Sequence, residues 1–583
     1  METIFDIVKK AEKNYTQGGV KLGKYLDNWN MYDLIEKINA YSNSAHISGK
    51  YDSLGREKPF FNIGTAAVNV WFRATDIDRK DIKFRATNSK NYIKSFIASI
   101  LLRNWMRQQN FGQFLNRWGR TLAKYGSAVV KATEKDGELY LKVIFWDKLI
   151  CDSVEFKDNI KIEKLFYTPI QLRKIKEYDQ AEVEKAIKSL DTRETLTGEQ
   201  KDTRNDYVGV YELHGELPLF YLTGKEKDKG KYRQQMHVLF IHNGTKKENY
   251  KDKIESTLYA GKEAKDFYFL THLIEEEGKT LSIGAIEHLF DTQWMVNHSV
   301  KQIKDQLDMV SKMVLQTADE NFVGRNVLTN IETGQILVHA DNRPLTQVNN
   351  QSHDMPAITS FLQLWQALGR DITGTPEAVT GNTMPSGTAY RQVAALQQEA
   401  HSLFELMTEN KGLYLEEIIK NVVVPFFKKK LNNTKEVALV LESEELQRFD
   451  DLALPAELEN ELKRIGGTPT IEELTGNIQQ RNAQLGMIRF VTPGATTWKE
   501  YFKDLEDDIE VVVTNENLNK ETTMTTLTTV LQTIAQNPAI LQAPVAKRLF
   551  AKILETTGEV SPIELQSMAI PQMPPTVLPQ RSE

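Results

Sequence analysis

A chain of 583 residues exceeds the roughly 250–300 at which one hydrophobic core stops growing, so several domains are expected. Its 40% hydrophobic and 26% charged residues exclude a fibrous or wholly disordered protein, and a net charge of -6 argues against a general basic wrapper of nucleic acid. The single cysteine, Cys151, excludes an intrachain disulfide framework and a cysteine-based zinc site, and no stretch approaches the ~18 apolar residues of a membrane span.

Residues 1 to 50 place Leu34, Ile35, Ile38 and Tyr41 on one helical face. Residues 90 to 126 predict a further buried amphipathic pair, with Arg103, Arg107, Arg117 and Arg120 in solvent. Strands are expected at 128–132 and 139–145, joined by the turn signal Asp136-Gly137, and again at 161–167, 207–213 and 236–242. Residues 191–206 and 224–233 predict loops. Residues 50 to 280 therefore form a mixed α+β body.

The pattern changes near Leu281. Leu289, Val296, Val300, Ile303, Leu307, Val310 and Val314 follow an alternating three-four spacing, with Gln293 in the remaining slot. Without Gly or Pro between Ala285 and Gln316, a single helix is expected over 281–316. Short β-like runs follow at 327–328, 335–338 and 345–348, and then a returning helix at 356–373. Three glycines and two prolines within residues 374–388 exclude helix interior there. A long helix then runs from Ala389 to about Val424, closed by Pro425. Strands at 435–442 and 509–513 are expected to rejoin the α+β body, with an acidic helical insertion between them. Residues 518–556 predict two helices, and the last segment, 561–583, with five prolines, a loosely held tail.

Catalytic signatures are missing. Gly278-Lys279-Thr280 has Leu273 where a phosphate loop needs glycine, and there is no HExxH, GxSxG or EF-hand loop. His237 and His242 flank an apolar run that reads as an ordinary strand, and Glu275-Glu276-Glu277 as a solvated loop. The expectation is a chain with no catalytic residue, no metal site and no cofactor.

The order of elements resembles the portal proteins of tailed bacteriophages, the head-to-tail connectors, and points to a short-tailed phage. The match is carried by Arg370-Asp371-Ile372-Thr373-Gly374-Thr375-Pro376-Glu377-Ala378-Val379-Thr380-Gly381, then Pro385-Ser386-Gly387-Thr388-Ala389. A second match is Tyr125-Gly126-Ser127-Ala128-Val129-Val130-Lys131 ahead of the strand ending Phe145-Trp146-Asp147; the family often has proline next, and this chain has Lys148. As motif the likeness covers about 30 residues; as an order of elements it covers most of the chain.

The resemblance implies an α+β portal-like fold. Its parts would be a wing over 1–280, a first stem helix over 281–316, a clip over 317–353 and a second stem helix over 354–373. A channel (tunnel) loop over 374–388, a long wing helix over 389–430, a wing return over 431–513, a helical crown over 514–560 and a Pro-rich tail over 561–583 would follow. About twelve copies would form a ring at one capsid vertex, through which double-stranded DNA is packaged and ejected. The implied partners are the major capsid protein, the terminase large subunit and head-tail adaptor or tail proteins, with no membrane. The implied location is the virion, after synthesis in the host bacterial cytoplasm.

In the channel loop, Gly374, Thr375, Pro376, Glu377, Gly381, Asn382, Pro385, Ser386 and Gly387 are small or polar with one charge, which suits a loop that brushes a duplex. Lys301, Lys304 and Lys312 either line the channel as a sparse basic ring or pair with Asp305, Asp308 or a neighbouring subunit. Glu320, Arg325, Glu332, Asp341 and Arg343 would serve docking at the clip. Trp294 and Trp365 belong either at the subunit seam or in the subunit's own core. A coiled-coil scaffold or adaptor without a DNA channel is the alternative.

Overall fold

The computed structural model describes residues 2–310 apart from 23–25, 54, 78, 80–81, 87–91, 136, 192–206 and 243–253. It further describes 315–316, 346–347, 355–374, 390–431, 437–441, parts of 446–462, 470–491, 500 and 509–513. The fold is α+β. It divides into two compact units, Met1–Asp76 with Asn116–Lys411, and Ile77–Leu115 with Gly412–Glu583.

The first unit opens with α1 (Ile4–Gln17), started by a capping box in which Thr3 and Asp6 satisfy each other's backbone N–H. The hairpin β1 (Val20–Leu22) and β2 (Leu26–Trp29) leads to α2 (Met31–Ser42) and α3 (Gly64–Ala74). Ile35 and Ile38 of α2 are buried, with Leu34 and Tyr41 partly buried beside them, as the helical spacing requires. Next in the chain come β3 (Ile82–Ala86) and α4 (Tyr92–Gln108), which belong to the second unit, and α5 (Phe111–Tyr125), most of which belongs to the first. Asn110, at φ 51, separates the two helices of the pair expected over 90–126; asparagine tolerates this left-handed conformation better than most residues. Arg107, Arg117 and Arg120 are exposed as expected, whereas Arg103 is half-buried.

β4 (Ser127–Lys135) and β5 (Glu138–Ile144) pair antiparallel around Gly137, whose φ of 75 the turn requires. After β6 (Leu149–Ile150) and β7 (Lys161–Tyr167), α6 (Pro169–Lys174) and α7 (Gln180–Asp191) precede β8 (Val208–Pro218). A short helix α8 (Phe220–Thr223) leads into β9 (Tyr232–His242), β10 (Ile254–Lys262) and β11 (Tyr268–His272). Two sheets result, in the orders β10-β9-β8-β7-β6 and β11-β4-β5. Leu172 of α6 and Val183 of α7 pack on Val208, Val210, Val238, Phe240 and Leu258 to close one face of the larger sheet.

In the second unit, Ile509–Val513 pairs antiparallel with β3, Val513 opposite Ile82, so this strand does return to an early segment. Val437–Val440 pairs with Ile488–Val491, which follows the capped helix Ile471–Leu485. The long helix, Tyr390–Ile418, which starts in the first unit and enters the second at Gly412, is followed by helix beyond Pro425. A five-residue π turn, Ile419–Val423, widens the helix before Val424–Leu431. Pro425 is then the second residue of a fresh α-helical segment, where the absent N–H is tolerated. Among the described residues, no helix is long and apolar enough to cross a membrane.

Candidate functional site: a helical hairpin

The one helix expected over 281–316 is shorter and interrupted. Residues 281–284 are not helical, α9 (Ala285–His288) is a single turn, and α10 (Phe290–Val310) follows after Leu289. Residues 281–284 are committed to a close backbone crossing. A Cβ on Gly284 would lie 2.4 Å from the Lys124 carbonyl oxygen, and one on Gly126 2.5 Å from that of Ile283. At the other end, β12 (Leu315–Gln316) is strand, correcting the helical expectation, and pairs antiparallel with β13 (Thr346–Gln347). The return helix α11 (Met355–Ile372) packs along α10. Gly369 permits that approach, since a Cβ there would meet Thr292 Cγ2 at 2.7 Å.

The base of the hairpin is clasped by polar side chains. Gln293, the polar residue in the apolar seam, accepts from the Ile63 N–H at 3.0 Å and donates to the Phe61 carbonyl at 2.5 Å. Asn297 accepts from the Phe61 N–H at 2.9 Å. Trp71 donates its indole N–H to the Thr373 carbonyl at 2.8 Å, holding the end of α11. Gln293→Ala is expected to cost about 1–3 kcal/mol, because it strands a backbone donor and an acceptor at once. Urea denaturation of the two proteins measures it.

Away from the base the seam opens. Leu289 and Val296 are buried, Val300 and Ile303 half-buried, and Leu307 is 52% exposed, followed by an exposed Val310. On α11, Phe361, Leu364, Leu368 and Ile372 are exposed, Leu364 to 55%. Trp294 lies 58% exposed, stacked on His298 at 5.5 Å, while Trp365 is half-buried and edge-on to Phe361. Aliphatic and aromatic side chains in such a run favour a covering partner.

The basic residues turn toward the loop ahead of α3. Lys301 Nζ is 3.8 Å from Asp52, and Lys304 Nζ donates to the Glu57 carbonyl at 3.4 Å. Arg56 bridges Asp52 and Asp305, each at 3.0 Å. The partner of Lys301 is thus Asp52, and that of Asp305 is Arg56. Lys312, the clip residues Glu320, Arg325, Glu332, Asp341 and Arg343, and the loop residues Thr375, Pro376, Glu377, Gly381, Asn382, Pro385, Ser386 and Gly387 lie outside the described residues. So does the crown over 514–560 with the tail over 561–583. Gly374 is described and ends α11 at φ +61, a conformation that favours glycine.

At the base, burial pushes the Glu287 carboxyl up to about 7 against the attraction of Lys279, and Oε2 has no hydrogen-bond partner. Burial pulls the neighbouring His288 down, its ring 5.8 Å from Trp71. The folded state therefore prefers protonated Glu287, and ionisation weakens it as pH rises from the ordinary value of 4.5 through about 7. Glu287→Gln should stabilise the protein at pH 8 by up to about 3 kcal/mol and change little at pH 4. Urea melts at the two pH values measure the difference.

Other sequence candidates have structural roles. Thr280 of the Gly-Lys-Thr run donates its hydroxyl to the Asp152 carbonyl at 2.8 Å, and Lys279 lies 5.6 Å over Trp29. His237 hydrogen-bonds Gln235 at 2.9 Å and burial lowers it to about 4. Burial pushes the Cys151 thiol up to about 12, which makes it a poor nucleophile. Among the described residues, no group of three His, Cys, Asp or Glu is placed to hold a metal ion.

No known protein family and no curated protein matches this chain. The clasp residue Gln293 had one sequence signal, a polar residue in an apolar heptad slot, and Asn297 had none. Their partners at Phe61 and Ile63 lie more than two hundred positions away and had none.

Proposed function

We propose that this chain is the subunit of a phage portal, a ring at one capsid vertex that conducts double-stranded DNA and carries no enzymatic site of its own. The observation that supports this most is the hairpin. A long helix, a small β pair and a returning helix follow one another, and the apolar seam is covered at the base and open beyond it. In a ring, neighbouring copies cover the open part, and α10 and α11 form the stem. The β pair at Leu315–Gln316 and Thr346–Gln347 marks the root of the clip, where the terminase motor and later the head-tail adaptors dock. The major capsid protein would meet the wing.

Charge supports conduction over gripping. At -6 per chain, twelve copies carry about -72, which opposes DNA adhesion through the long-range field. Lys301 and Lys304, facing Asp52 and the Glu57 carbonyl, are tempered as phosphate contacts.

Native mass spectrometry with negative-stain class averages of the purified chain, alone and with capsid partners, is the test. Rings of about twelve subunits with a central hole are expected. A discrete dimer or tetramer without a hole under both conditions would overturn the proposal in favour of a coiled-coil scaffold or adaptor.

A further inference from the structure

The two β-sheets of the first unit meet through charge. On the smaller sheet, Lys131 of β4 stands directly opposite Lys142 of β5 and Tyr268 of β11. On the larger, Glu163 of β7 stands opposite Glu212 of β8, and Lys161 opposite His214. Like charges directly opposite one another destabilise a sheet. Here the lysine row faces the glutamate row. Lys131 bonds Glu212 and lies 3.3 Å from Glu163, and Lys142 reaches Glu163 at 2.8 Å.

A third carboxylate joins through a histidine. His214 Nε2 is 2.8 Å from Glu212 Oε1, and Nδ1 is 2.9 Å from Glu263 Oε2, just beyond β10. A neutral imidazole has one N–H and one lone pair, so it cannot donate to both carboxylates; the imidazolium can. The charge balance agrees. Lys131 and Lys142 leave one of Glu163, Glu212 and Glu263 uncompensated, and the imidazolium supplies the third cation.

The remaining groups facing the histidine leave that balance intact. Lys161 pairs with Asp266. His237 on β9 is held neutral. Tyr268 stands edge-on to His214 at 5.0 Å, with Lys131 5.3 Å from its ring centre.

We propose that His214 is a proton-operated latch. Its imidazolium, clamped between Glu212 and Glu263, completes the ionic layer that holds the three-stranded sheet on the five-stranded one. Loss of its proton leaves a lone pair facing a carboxylate and an unbalanced buried negative charge, and the packing loosens. The latch does not depend on the portal reading.

The sign follows from both partners. Burial pulls His214 down, but its bonds to Glu212 and Glu263 outweigh that and leave it above the ordinary 6.5. Its contribution is full below 6.5 and is lost as pH rises through the raised value. Glu212 works oppositely. Burial raises it, Lys131 and His214 more than reverse that, and it ends at about 2. Its contribution is present above the carboxylate range and fails only in strong acid.

Hydrogen exchange of the full chain from pH 6 to 10, corrected for intrinsic rates, tests the latch in the β4 and β11 peptides. Protection in the parent should fall roughly tenfold per pH unit from about 6.5, where the opened state gives up the proton, and level off above the raised value of folded His214, the linkage of a single proton. His214→Gln should flatten that dependence. Glu263→Gln, which removes one clamp and keeps the imidazole, should make the fall level off about one pH unit earlier. Identical pH profiles for the parent and His214→Gln would overturn the latch. If His214→Gln does not fold, an unmoved upper end of the fall in Glu263→Gln would do the same.

Discussion

Lys131→Met is expected to destabilise the first unit by about 3–5 kcal/mol at pH 7, the cost of removing one partner from a buried ionic group. Methionine nearly fills the volume of the lysine stem, so the loss is electrostatic. Glu163 and Glu212 remain buried and directly opposite one another in the sheet register. Lys142 still reaches Glu163 and His214 still reaches Glu212, which sets the upper bound. The loss should shrink below about pH 5, where the orphaned carboxylates take up protons. Lys131→Met combined with Glu212→Met should recover much of it, since replacing both members of a buried pair costs less than breaking the pair. Urea denaturation of the two variants beside the parent decides. A loss below about 1 kcal/mol from the single change would mean that solvent already screens the layer.

This ionic layer shows where sequence reasoning runs out. The turn at Gly137 and strand β7 were legible because their signals are local: a turn dipeptide in the sequence, and a β-rich run bounded by polar residues. Lys131, Glu163 and Glu212 each fall within an expected strand, and nothing in the sequence around them singles them out. Their meeting depends on the register of strands separated by 32 and 81 positions, which no local pattern encodes. β10 and β11 were missed because they begin among loop-like polar segments, and their pairing with β9 and β4 makes them strands. Pro425 misled in the other direction. Its breaker character is real, but a π turn just ahead of it lets the chain stay helical.

The hairpin was more legible, because helical periodicity is a property of one segment. The three-four spacing correctly located the seam, yet its outer turns are left open: the same spacing includes buried Val296 and exposed Leu307. Periodicity reports that a face is apolar, not which chain covers it. Gln293 separates the two regimes, since its amide fastens the inner turns to residues 61–63 of the same chain. Beyond that clasp the seam runs from half-buried Val300 and Ile303 to exposed Leu307 and Val310.

Changing Leu307 and Leu364 together to glutamate is therefore expected to separate assembly from folding. At 52% and 55% exposure in the single chain, each change should shift the stability of the isolated subunit by no more than about 0.5 kcal/mol. In the proposed ring each leucine would be buried at the subunit junction and contribute about 1.5–3 kcal/mol there. The substitution replaces that with carboxylates facing an apolar surface, and the effect repeats around the ring. The double variant should appear as single chains by native mass spectrometry while keeping the parent's circular dichroism and melting midpoint as a single chain. Leu307→Met with Leu364→Met conserves volume and apolarity and should assemble as the parent does. Intact rings from the glutamate variant would place these leucines away from the subunit junction, and α10 and α11 could not then be the stem. Loss of the ring without loss of the fold would mean that the open seam is closed by other copies of the same hairpin.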